Sequence, residues 1–462
     1  MAVVPIPDKW DYEADVIVVG AGTAGLPAAI VAAEAGAKVT VLELMSYCAS
    51  SLAIIGVGPA FAGTDEQKAA GIEDSPEQYY KDGVELAKGD PELWKVYTDN
   101  HLDVYRWCKE IGMEWGELFA PPGHSVKRGF WAKGSDMLKC LERTAKQKGV
   151  ETLFLHRATR LITDPRTGRV LGLKVRVKDK TQDFKAKRAV VLATGGFGQN
   201  KEMVREYGPE YIDCVPHMPP GHLGDGLKMA LAIGAGTKDL GNAVISSGSI
   251  DVETKTGGWI WVAYLGAIFV NVNGNRFWDE GLRTSFYGLI SKEGLRQPGG
   301  LYWVVYDDKV RKQIPPERLG KAKPYRGDTI EELAEKAGID PKGLKETIDK
   351  YNSDIETVGY DTVFDRRTLV GVDGTPVTLV TPPFYAVRLT ASTTSFKGGL
   401  KINARCQVVN QYDEVIPGLY AAGEVTGGLW GYDGTYLPNT MVPAAMTFGR
   451  IAGSNAAAEQ PW

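Results

Sequence analysis

The stretch Ala14-Asp15-Val16-Ile17-Val18-Val19-Gly20 runs directly into Ala21-Gly22-Thr23-Ala24-Gly25. Its first part, ADVIVVG, predicts a buried β-strand, and the alanine-rich run from Ala24 to Gly36 predicts a helix. A second apolar run, KVTVLE at residues 38–43, predicts another strand. Strand, helix and strand make a βαβ unit, whose crossover is right-handed and whose strands are parallel. The sequence therefore predicts an α/β fold built on a parallel sheet.

The turn between the first strand and the helix has the glycine pattern GxGxxG. Gly20 permits the tight turn, Gly22 lets the backbone approach a diphosphate, and Gly25 lets the helix pack closely on the strand. The helix N-terminus offers free N–H groups and a partial positive charge to that diphosphate. Glu43 ends the second strand, where its carboxylate can accept hydrogen bonds from ribose hydroxyls. The pattern predicts a dinucleotide site, which NAD and FAD satisfy equally.

Two later segments favour FAD over NAD. Ala193-Thr194-Gly195-Gly196 ends a predicted strand, and Pro417-Gly418-Leu419-Tyr420-Ala421-Ala422-Gly423-Glu424 is a predicted buried strand that ends in a Gly-Glu pair. In flavoproteins with this type of domain, such segments return the chain to the cofactor, and the carboxylate meets the ribityl or diphosphate region. The three segments in this order predict FAD.

Composition excludes several other classes of protein. The 462 residues are 44% hydrophobic and 24% charged, with a formal net charge of −4, so no general field attracts nucleic acid. No apolar run reaches the length of about 18 residues that a membrane span requires, and no secretory signal is expected. The five cysteines are scattered, which favours free thiols in a cytoplasmic protein and excludes an iron–sulfur centre. No metal site is expected.

The order of the predicted elements suggests an interrupted domain. Helices are predicted at 75–88, with Ser75 and Gln78 as a capping box, and at 91–111. A hairpin is predicted at about 150–185, around Asp164-Pro165-Arg166-Thr167-Gly168, and a final helix at 444–458. The predicted division is a cofactor-binding domain at 1–235 and 373–462, with an inserted domain at 236–372.

Six motifs together resemble the fumarate reductase and succinate dehydrogenase flavoprotein superfamily, which includes 3-ketosteroid dehydrogenases. Beyond the fingerprint and the segment Pro417 to Glu424, they are Gly224-Asp225-Gly226, Gly274-Asn275-Arg276-Phe277-Trp278-Asp279-Glu280, Lys397-Gly398-Gly399-Leu400 and Phe448-Gly449-Arg450-Ile451-Ala452-Gly453. The resemblance implies a Rossmann-like, doubly wound FAD-binding domain with an inserted α+β capping domain, and catalysis between the two.

The chain departs from the members of the superfamily that act on dicarboxylates. All five histidines lie before residue 223, Ser395 stands near the place of the substrate histidine, and Pro438-Asn439-Thr440-Met441 replaces the substrate arginine. Arg283 lies one residue out of register with the family's proton-donating arginine, and Arg388 is a further candidate clamp for an acidic substrate. No histidine precedes His101, so the resemblance implies FAD that is bound non-covalently.

Aromatic residues stand where the carboxylate ligands would lie. Tyr436 is near the tyrosine with which 3-ketosteroid dehydrogenases hold the substrate carbonyl, and Tyr432 is an alternative for that role. The resemblance implies that a second tyrosine takes the proton, and Tyr264 and Tyr287 are the candidates, with Tyr105 a weaker one. Lys397 either tunes the flavin or is a solvated lysine, and Gly398 and Gly399 are expected to allow close approach to the flavin ring.

The predicted function is an FAD-dependent dehydrogenase that removes two hydrogens from adjacent carbons beside a carbonyl, on a cyclic ketone or 3-ketosteroid-like substrate. The alternatives are an ene-reductase of an unsaturated acid, with Arg283 as proton donor, and an electron-transfer subunit. A small-molecule carbonyl substrate and an unidentified electron acceptor are the expected partners. The predicted cofactor-binding residues are Gly20, Gly22, Thr23, Ala24, Gly25, Glu43, Ser50, Ser51, Ala158, Thr194, Gly195, Gly398, Gly423, Glu424, Asn439, Met441 and Val442.

Overall fold

The structure is a computed structural model, and it describes residues 4–55, 58–240, 247–257, 259–281, 289–319, 321–430 and 436–462. The strands are β1 (Tyr12–Val19), β2 (Val39–Glu43), β3 (Leu118–Phe119), β4 (Gly129–Phe130), β5 (Glu151–Phe154), β6 (His156–Thr163), β7 (Val170–Val177), β8 (Lys180–Leu192), β9 (Val215–Pro216), β10 (Thr237–Lys238), β11 (Ser247–Asp251), β12 (Ile268–Val270), β13 (Leu301–Tyr306), β14 (Tyr325–Gly327), β15 (Phe384–Thr393), β16 (Gly399–Leu400), β17 (Gln407–Val409) and β18 (Val415–Ala421).

The α-helices are α1 (Gly25–Glu34), α2 (Ser51–Ile55), α3 (Asp65–Ala69), α4 (Pro76–Lys81), α5 (Pro91–Glu110), α6 (Gly134–Gln147), α7 (Lys201–Tyr207), α8 (Asp225–Leu231), α9 (Leu289–Arg296), α10 (Asp308–Gln313), α11 (Pro316–Leu319), α12 (Ile330–Ala337), α13 (Pro341–Val358) and α14 (Met441–Ala458). Within the described ranges, no helix is both long enough and apolar enough to cross a membrane.

The larger sheet carries the predicted βαβ unit at its centre. Its strand order is β17-β18-β8-β1-β2-β5, with β7 paired to β8 and β6 paired to β7. Strands β1, β2, β5, β8 and β18 are parallel, and β1 lies between β2 and β8. Val16 to Val18 are fully buried because helices cover both faces of a sheet of this kind. The carboxyl ends of β1, β2, β8 and β18 therefore meet at one edge.

The local signals near the N-terminal half are confirmed except for one capping detail. The hairpin of β6 and β7 turns at Asp164, whose backbone N–H donates to the Arg169 carbonyl at 2.8 Å. Ser75 caps α4 by accepting a hydrogen bond from the Gln78 backbone N–H. The predicted capping box is wrong, because the Gln78 side chain donates instead to Asp82 and to Ser125.

The second sheet and its helices form a separate core. Its order is β11-β15-β13-β12, with β14 and β9 also paired to β15. The pairs are antiparallel except for β9 with β15, as expected for an α+β unit. The predicted end of the inserted domain at residue 372 needs correction, because β15 begins only at Phe384 and is the central strand of this sheet. A boundary near residue 394 follows the strand pairing.

Candidate cofactor and active site

One cavity opens at the edge where the parallel strands end. The turn after β1 forms part of its wall, and Gly20 takes a φ of +108° in that turn. A β-carbon at Gly25 would collide with the Gly20 carbonyl oxygen, so Gly25 serves the packing of α1 on β1 as predicted and does not line the cavity. Gly22, by contrast, does line it, at the N-terminal end of α1.

Glu43 lines the cavity and also holds the glycine-rich turn in place. Its Oε2 accepts the Ala21 backbone N–H at 2.9 Å, and its Oε1 accepts the Met45 backbone N–H at 2.8 Å. Burial raises the pKa of its carboxyl, and these backbone hydrogen bonds oppose that rise. Each oxygen keeps a second lone pair, with which it can accept a ligand hydroxyl.

The two later segments reach the same cavity. Thr194 and Gly195 follow β8, and Gly423 and Glu424 follow β18. The Glu424 Oε1 accepts the Phe396 backbone N–H at 3.1 Å, and burial raises the pKa of this carboxyl to about 8. The His222 Nδ1 lies 3.6 Å from the Glu424 Oε2. Desolvation lowers the pKa of His222 to about 4, so this contact joins two uncharged groups at neutral pH.

Several buried polar atoms on the cavity wall have no hydrogen-bond partner in the described part of the chain. They are Ser51 Oγ, Thr194 Oγ1, His222 Nδ1 and Lys397 Nζ. A buried polar atom without a partner costs about 1–3 kcal/mol. This wall of unsatisfied donors and acceptors, with the glycine turn and Glu43, suits a large polar ligand such as FAD.

The structure brings together the predicted cofactor-binding residues, with two exceptions. The residues that line the cavity are Gly20, Gly22, Thr23, Ala24, Glu43, Ser50, Ser51, Ala158, Thr194, Gly195, Gly423, Glu424, Asn439, Met441 and Val442. Gly25 and Gly398 do not line it. β-carbons at Gly398 and Gly399 would collide with the backbone of Asp239 and Val425, and the approach of these glycines to the flavin ring stays a prediction. These two glycines let protein segments pack on each other.

The other end of the cavity is aromatic and carries one lysine. Tyr436 and Trp430 line it with their rings in an edge-to-face arrangement, the ring centres 5.2 Å apart. The Lys397 Nζ lies 4.9 Å from the Trp430 ring centre and 2.8 Å from the Tyr436 ring centre. Lys397 is only 4% exposed, so the expectation of a solvated lysine is wrong.

Of the predicted catalytic residues, the structure places Tyr436 on the cavity wall and Tyr264 elsewhere. Tyr264 lies in the 3-10 helix Trp259–Leu265 and packs against the core of the capping domain. It is not among the residues that line the cavity. Tyr432, Tyr287 and Arg283 lie outside the described residues.

Two weaker candidates, Tyr105 and Arg388, do not line the cavity and have other partners. Tyr105, on α5, donates a hydrogen bond to Glu66. Arg388, on β15, lies 3.4 Å from Glu253 at a partly exposed position.

The motif from Gly274 to Glu280 also lies away from the cavity. Glu280 is fully buried and accepts the Phe269 backbone N–H at 2.9 Å and the Arg276 Nε at 3.0 Å. Arg276 also pairs with Asp361 at 2.6 Å, and Arg366 lies 3.7 Å from Glu280. Two arginines and two acids balance one another here, so this motif stabilises the capping domain.

Sequence reasoning missed several polar residues on the cavity wall, among them Arg157, Asp225 and His222. Arg157 donates from Nε and Nη2 to the carboxylate of Asp225 at 2.7 and 2.8 Å, and both residues line the cavity. Asp225 belongs to a motif of the superfamily, which was a usable signal. His222, three residues before Asp225, belongs to no such motif. Its surroundings come from the end of strand β8 and from Glu424, which are distant in sequence.

Comparison with known proteins agrees with this geometry. A family model described as an FAD binding domain matches residues 15–437. A probable fumarate reductase of Shewanella frigidimarina is 32% identical over 457 residues, which cover 96% of this chain and 74% of the relative. The structure of the open conformation of a flavocytochrome c3 fumarate reductase has a TM-score of 0.82 at 30% identity, covering 97% of this chain and 79% of that chain.

A 3-ketosteroid-delta4-(5alpha)-dehydrogenase from Rhodococcus jostii RHA1 is also similar in structure. Its TM-score is 0.77 at 27% identity, covering 97% of this chain and 98% of that chain. The chain belongs to the family of the matching FAD binding domain model, within the fumarate reductase and succinate dehydrogenase flavoprotein superfamily. It is an FAD-dependent oxidoreductase of a family that acts on CH–CH groups.

Proposed function

We propose that this chain is a dehydrogenase that removes two hydrogens from adjacent carbons beside a carbonyl, on a cyclic ketone or 3-ketosteroid-like substrate. The observation that carries the proposal is the aromatic end of the cavity, where Tyr436 lines the wall. Arg157 is the one arginine among the described wall residues, and Asp225 engages it through two hydrogen bonds. This end of the cavity therefore suits a neutral carbonyl compound better than a dicarboxylate.

Tyr436 is proposed to hold the substrate carbonyl. A hydroxyl that donates to a carbonyl oxygen stabilises the enolate that develops when the neighbouring C–H bond loses its proton, and one such donor contributes roughly 3–4 kcal/mol. FAD, when bound, supplies the hydride acceptor for the second hydrogen. Ser395 and Met441 also line the cavity, where the Ser395 hydroxyl donates to the Met441 sulfur at 3.7 Å.

A base must remove the proton beside the carbonyl. Tyr264 and Tyr287 remain the proposed bases, and Tyr432 remains the alternative to Tyr436. Free tyrosine has a pKa near 10, so the base needs a relay or a lowered pKa. Tyr264 belongs to the capping domain, so its reaching the substrate requires the cap to close over the cavity.

A second candidate function is the reverse reaction, reduction of an activated alkene. The observation that favours it is the 32% identity to a probable fumarate reductase over 96% of this chain. In this version Arg283 donates the proton to an unsaturated acid. The electron acceptor or donor is an unidentified partner in both versions. We also propose a reducing cytoplasmic location, supported by the five buried free cysteines.

Anaerobic titration of the FAD-loaded protein separates the candidates. We expect a saturated cyclic ketone to bleach the oxidised flavin, and an unsaturated acid to leave the chemically reduced flavin unchanged. Reoxidation by the unsaturated acid, with no bleaching by ketones, would replace the dehydrogenase proposal with the ene-reductase. A flavin that responds to neither compound would indicate an electron-transfer subunit.

A further inference from the structure

The aromatic end of the cavity encloses a lysine whose amine has no hydrogen-bond partner in the described part of the chain. The side chain of Lys397 is 4% exposed, and its Nζ lies over the rings of Trp430 and Tyr436. Trp430, Tyr436 and Lys397 all line the cavity. An ammonium group at this position gains attraction from the two rings, but rings compensate only part of its desolvation.

The charged and titratable groups around Lys397 do not supply a permanent counterion. The charge of Glu424 acts on Lys397, but burial raises the pKa of this carboxyl to about 8 and so keeps it largely protonated at neutral pH. His222 faces Glu424 and is neutral above about pH 4. Asp90, at the start of the neighbouring helix α5, is paired with Lys238 at 3.3 Å.

Burial consequently lowers the pKa of Lys397 well below its usual range, and the weak attraction of Glu424 does not restore it. An amine of this kind responds strongly to a new neighbouring charge. A negative charge placed beside the amine, in a site that excludes water, strongly favours its protonated form.

We propose that Lys397 is a proton-linked anion site, which takes up one proton from solvent when negative charge forms at the aromatic end of the cavity. The anion is either the reduced cofactor or the carbonyl oxygen of the substrate as it becomes an enolate; the second source rests on the proposed function. The lysine forms one N–H bond with its lone pair and transfers no electrons. Its role is to balance the charge that the reaction creates.

The first arm of the test measures the cofactor alone. The reduction potential of FAD bound to the wild-type protein is compared with that of FAD bound to Lys397→Met, without substrate. If the anion is the reduced cofactor, Lys397→Met binds reduced FAD at least tenfold more weakly relative to oxidised FAD. A tenfold change for a two-electron couple lowers the potential by about 30 mV.

The second arm measures an enolate analogue. Substituted phenols of increasing acidity are titrated into the oxidised, FAD-loaded protein, and binding is followed by flavin absorbance and by the phenolate band. If the anion is the substrate oxygen, the more acidic phenols bind the wild-type protein more tightly and as phenolates. Lys397→Met then binds them at least tenfold more weakly and loses the dependence on acidity.

Lys401→Met is the matched control in both arms, because Lys401 is four residues away, partly exposed and paired with Asp413. Methionine replaces an unpartnered amine by an apolar group of similar length, so the unfolding midpoint of the FAD-free variant should not fall. If Lys397→Met does not retain FAD, Lys397→Gln takes its place. A change in either arm supports the site and identifies the anion, and no change in both arms overturns it.

The two proposals fail separately. A protein that binds phenolates through Lys397, but whose flavin responds to neither ketone nor unsaturated acid, keeps the anion site and loses the proposed function. A protein that turns over ketones with both arms unchanged in Lys397→Met keeps the proposed function and loses the anion site.

Discussion

Glu43 joins the glycine-rich turn to the cavity, since its two oxygens accept the backbone N–H groups of Ala21 and Met45. We expect Glu43→Ala to weaken FAD binding at least tenfold, because charge-assisted bonds to ribose contribute about 1.5–3 kcal/mol each. The unfolding midpoint of the FAD-free protein should also fall, because two N–H groups lose their acceptor. Turnover of the loaded enzyme should change little. Fluorescence titration with FAD and thermal unfolding measure these effects.

Glu43→Gln is the matched control, because it keeps one carbonyl oxygen as an acceptor for a backbone N–H. It should fall between the wild type and Glu43→Ala in both measurements. FAD affinity that does not change in Glu43→Ala would mean that the ribose lies elsewhere in the cavity.

FAD should be released completely by acid precipitation, because no histidine precedes His101 and the resemblance to the superfamily implies non-covalent FAD. The colour of the supernatant and pellet measures this directly. Flavin retained in the pellet contradicts the prediction. The anchor would then be sought at Cys48 and at the two histidines of the cavity wall, His156 and His222.

The role of a single residue was predictable from the sequence where its partners lie close to it along the chain. The turn glycines and Glu43 act within one βαβ unit, so spacing alone determined their positions. Lys397 and Gly398 were not predictable in the same way. Their surroundings come from Trp430, Tyr436 and Asp239, and no local pattern connects such separated segments.

Among the elements, α14 packs against α1 through glycines. β-carbons at Gly449 and Gly453 would collide with the carbonyl oxygens of Ala24 and Ala28. We expect Gly453→Ala to destabilise the protein by about 1–3 kcal/mol, because overpacking exceeds the gain in helix propensity of about 1 kcal/mol. Thermal unfolding of the FAD-free protein measures this. Ser454→Ala, on the exposed side of α14, should leave the midpoint unchanged, and equal midpoints for both variants contradict the packing argument.

The element that sequence reasoning placed wrongly is β15. Its residues, Phe384–Thr393, follow a change in composition that suggested a return to the first domain. The composition of a segment indicates its burial and its content of turns. The domain to which β15 belongs depends instead on its pairing with β11 and β13, which precede it by many residues. The helices and the βαβ unit were predictable because their signals are local.

In the whole molecule, buried histidines make stability depend on pH. His222 has an ordinary pKa near 6.5 that burial lowers to about 4, so its neutral form belongs to the folded state. As pH falls from 6.5 to 4, the histidine is protonated in the unfolded chain but stays neutral in the folded chain. The free energy of unfolding therefore decreases. The loss is about 3 kcal/mol at 1.36 kcal/mol per pKa unit. Urea unfolding of the FAD-free protein between pH 7 and pH 4 measures it.

Glu424 acts in the opposite sense, because its pKa is raised to about 8 and its contribution is lost as pH rises from 4.5 to 8. A comparison with His222→Gln isolates the histidine, since Glu424 is present in both proteins. The wild type should lose more stability than the variant on acidification. Parallel pH profiles for the two proteins would show that His222 titrates normally in the folded state.

The central claim is that Tyr436 holds a substrate carbonyl in an FAD enzyme, and the rate of flavin reduction by ketone in Tyr436→Phe tests it most directly. The substitution removes one oxygen and keeps the ring against Lys397 and Trp430, so FAD content and stability should be unchanged. We predict that the single-turnover rate falls by about 10²–10³-fold, the usual loss for one oxyanion donor. Normal reduction in Tyr436→Phe with collapse in the control Tyr432→Phe would move the role to Tyr432. Normal rates in both variants would contradict the ketone dehydrogenase.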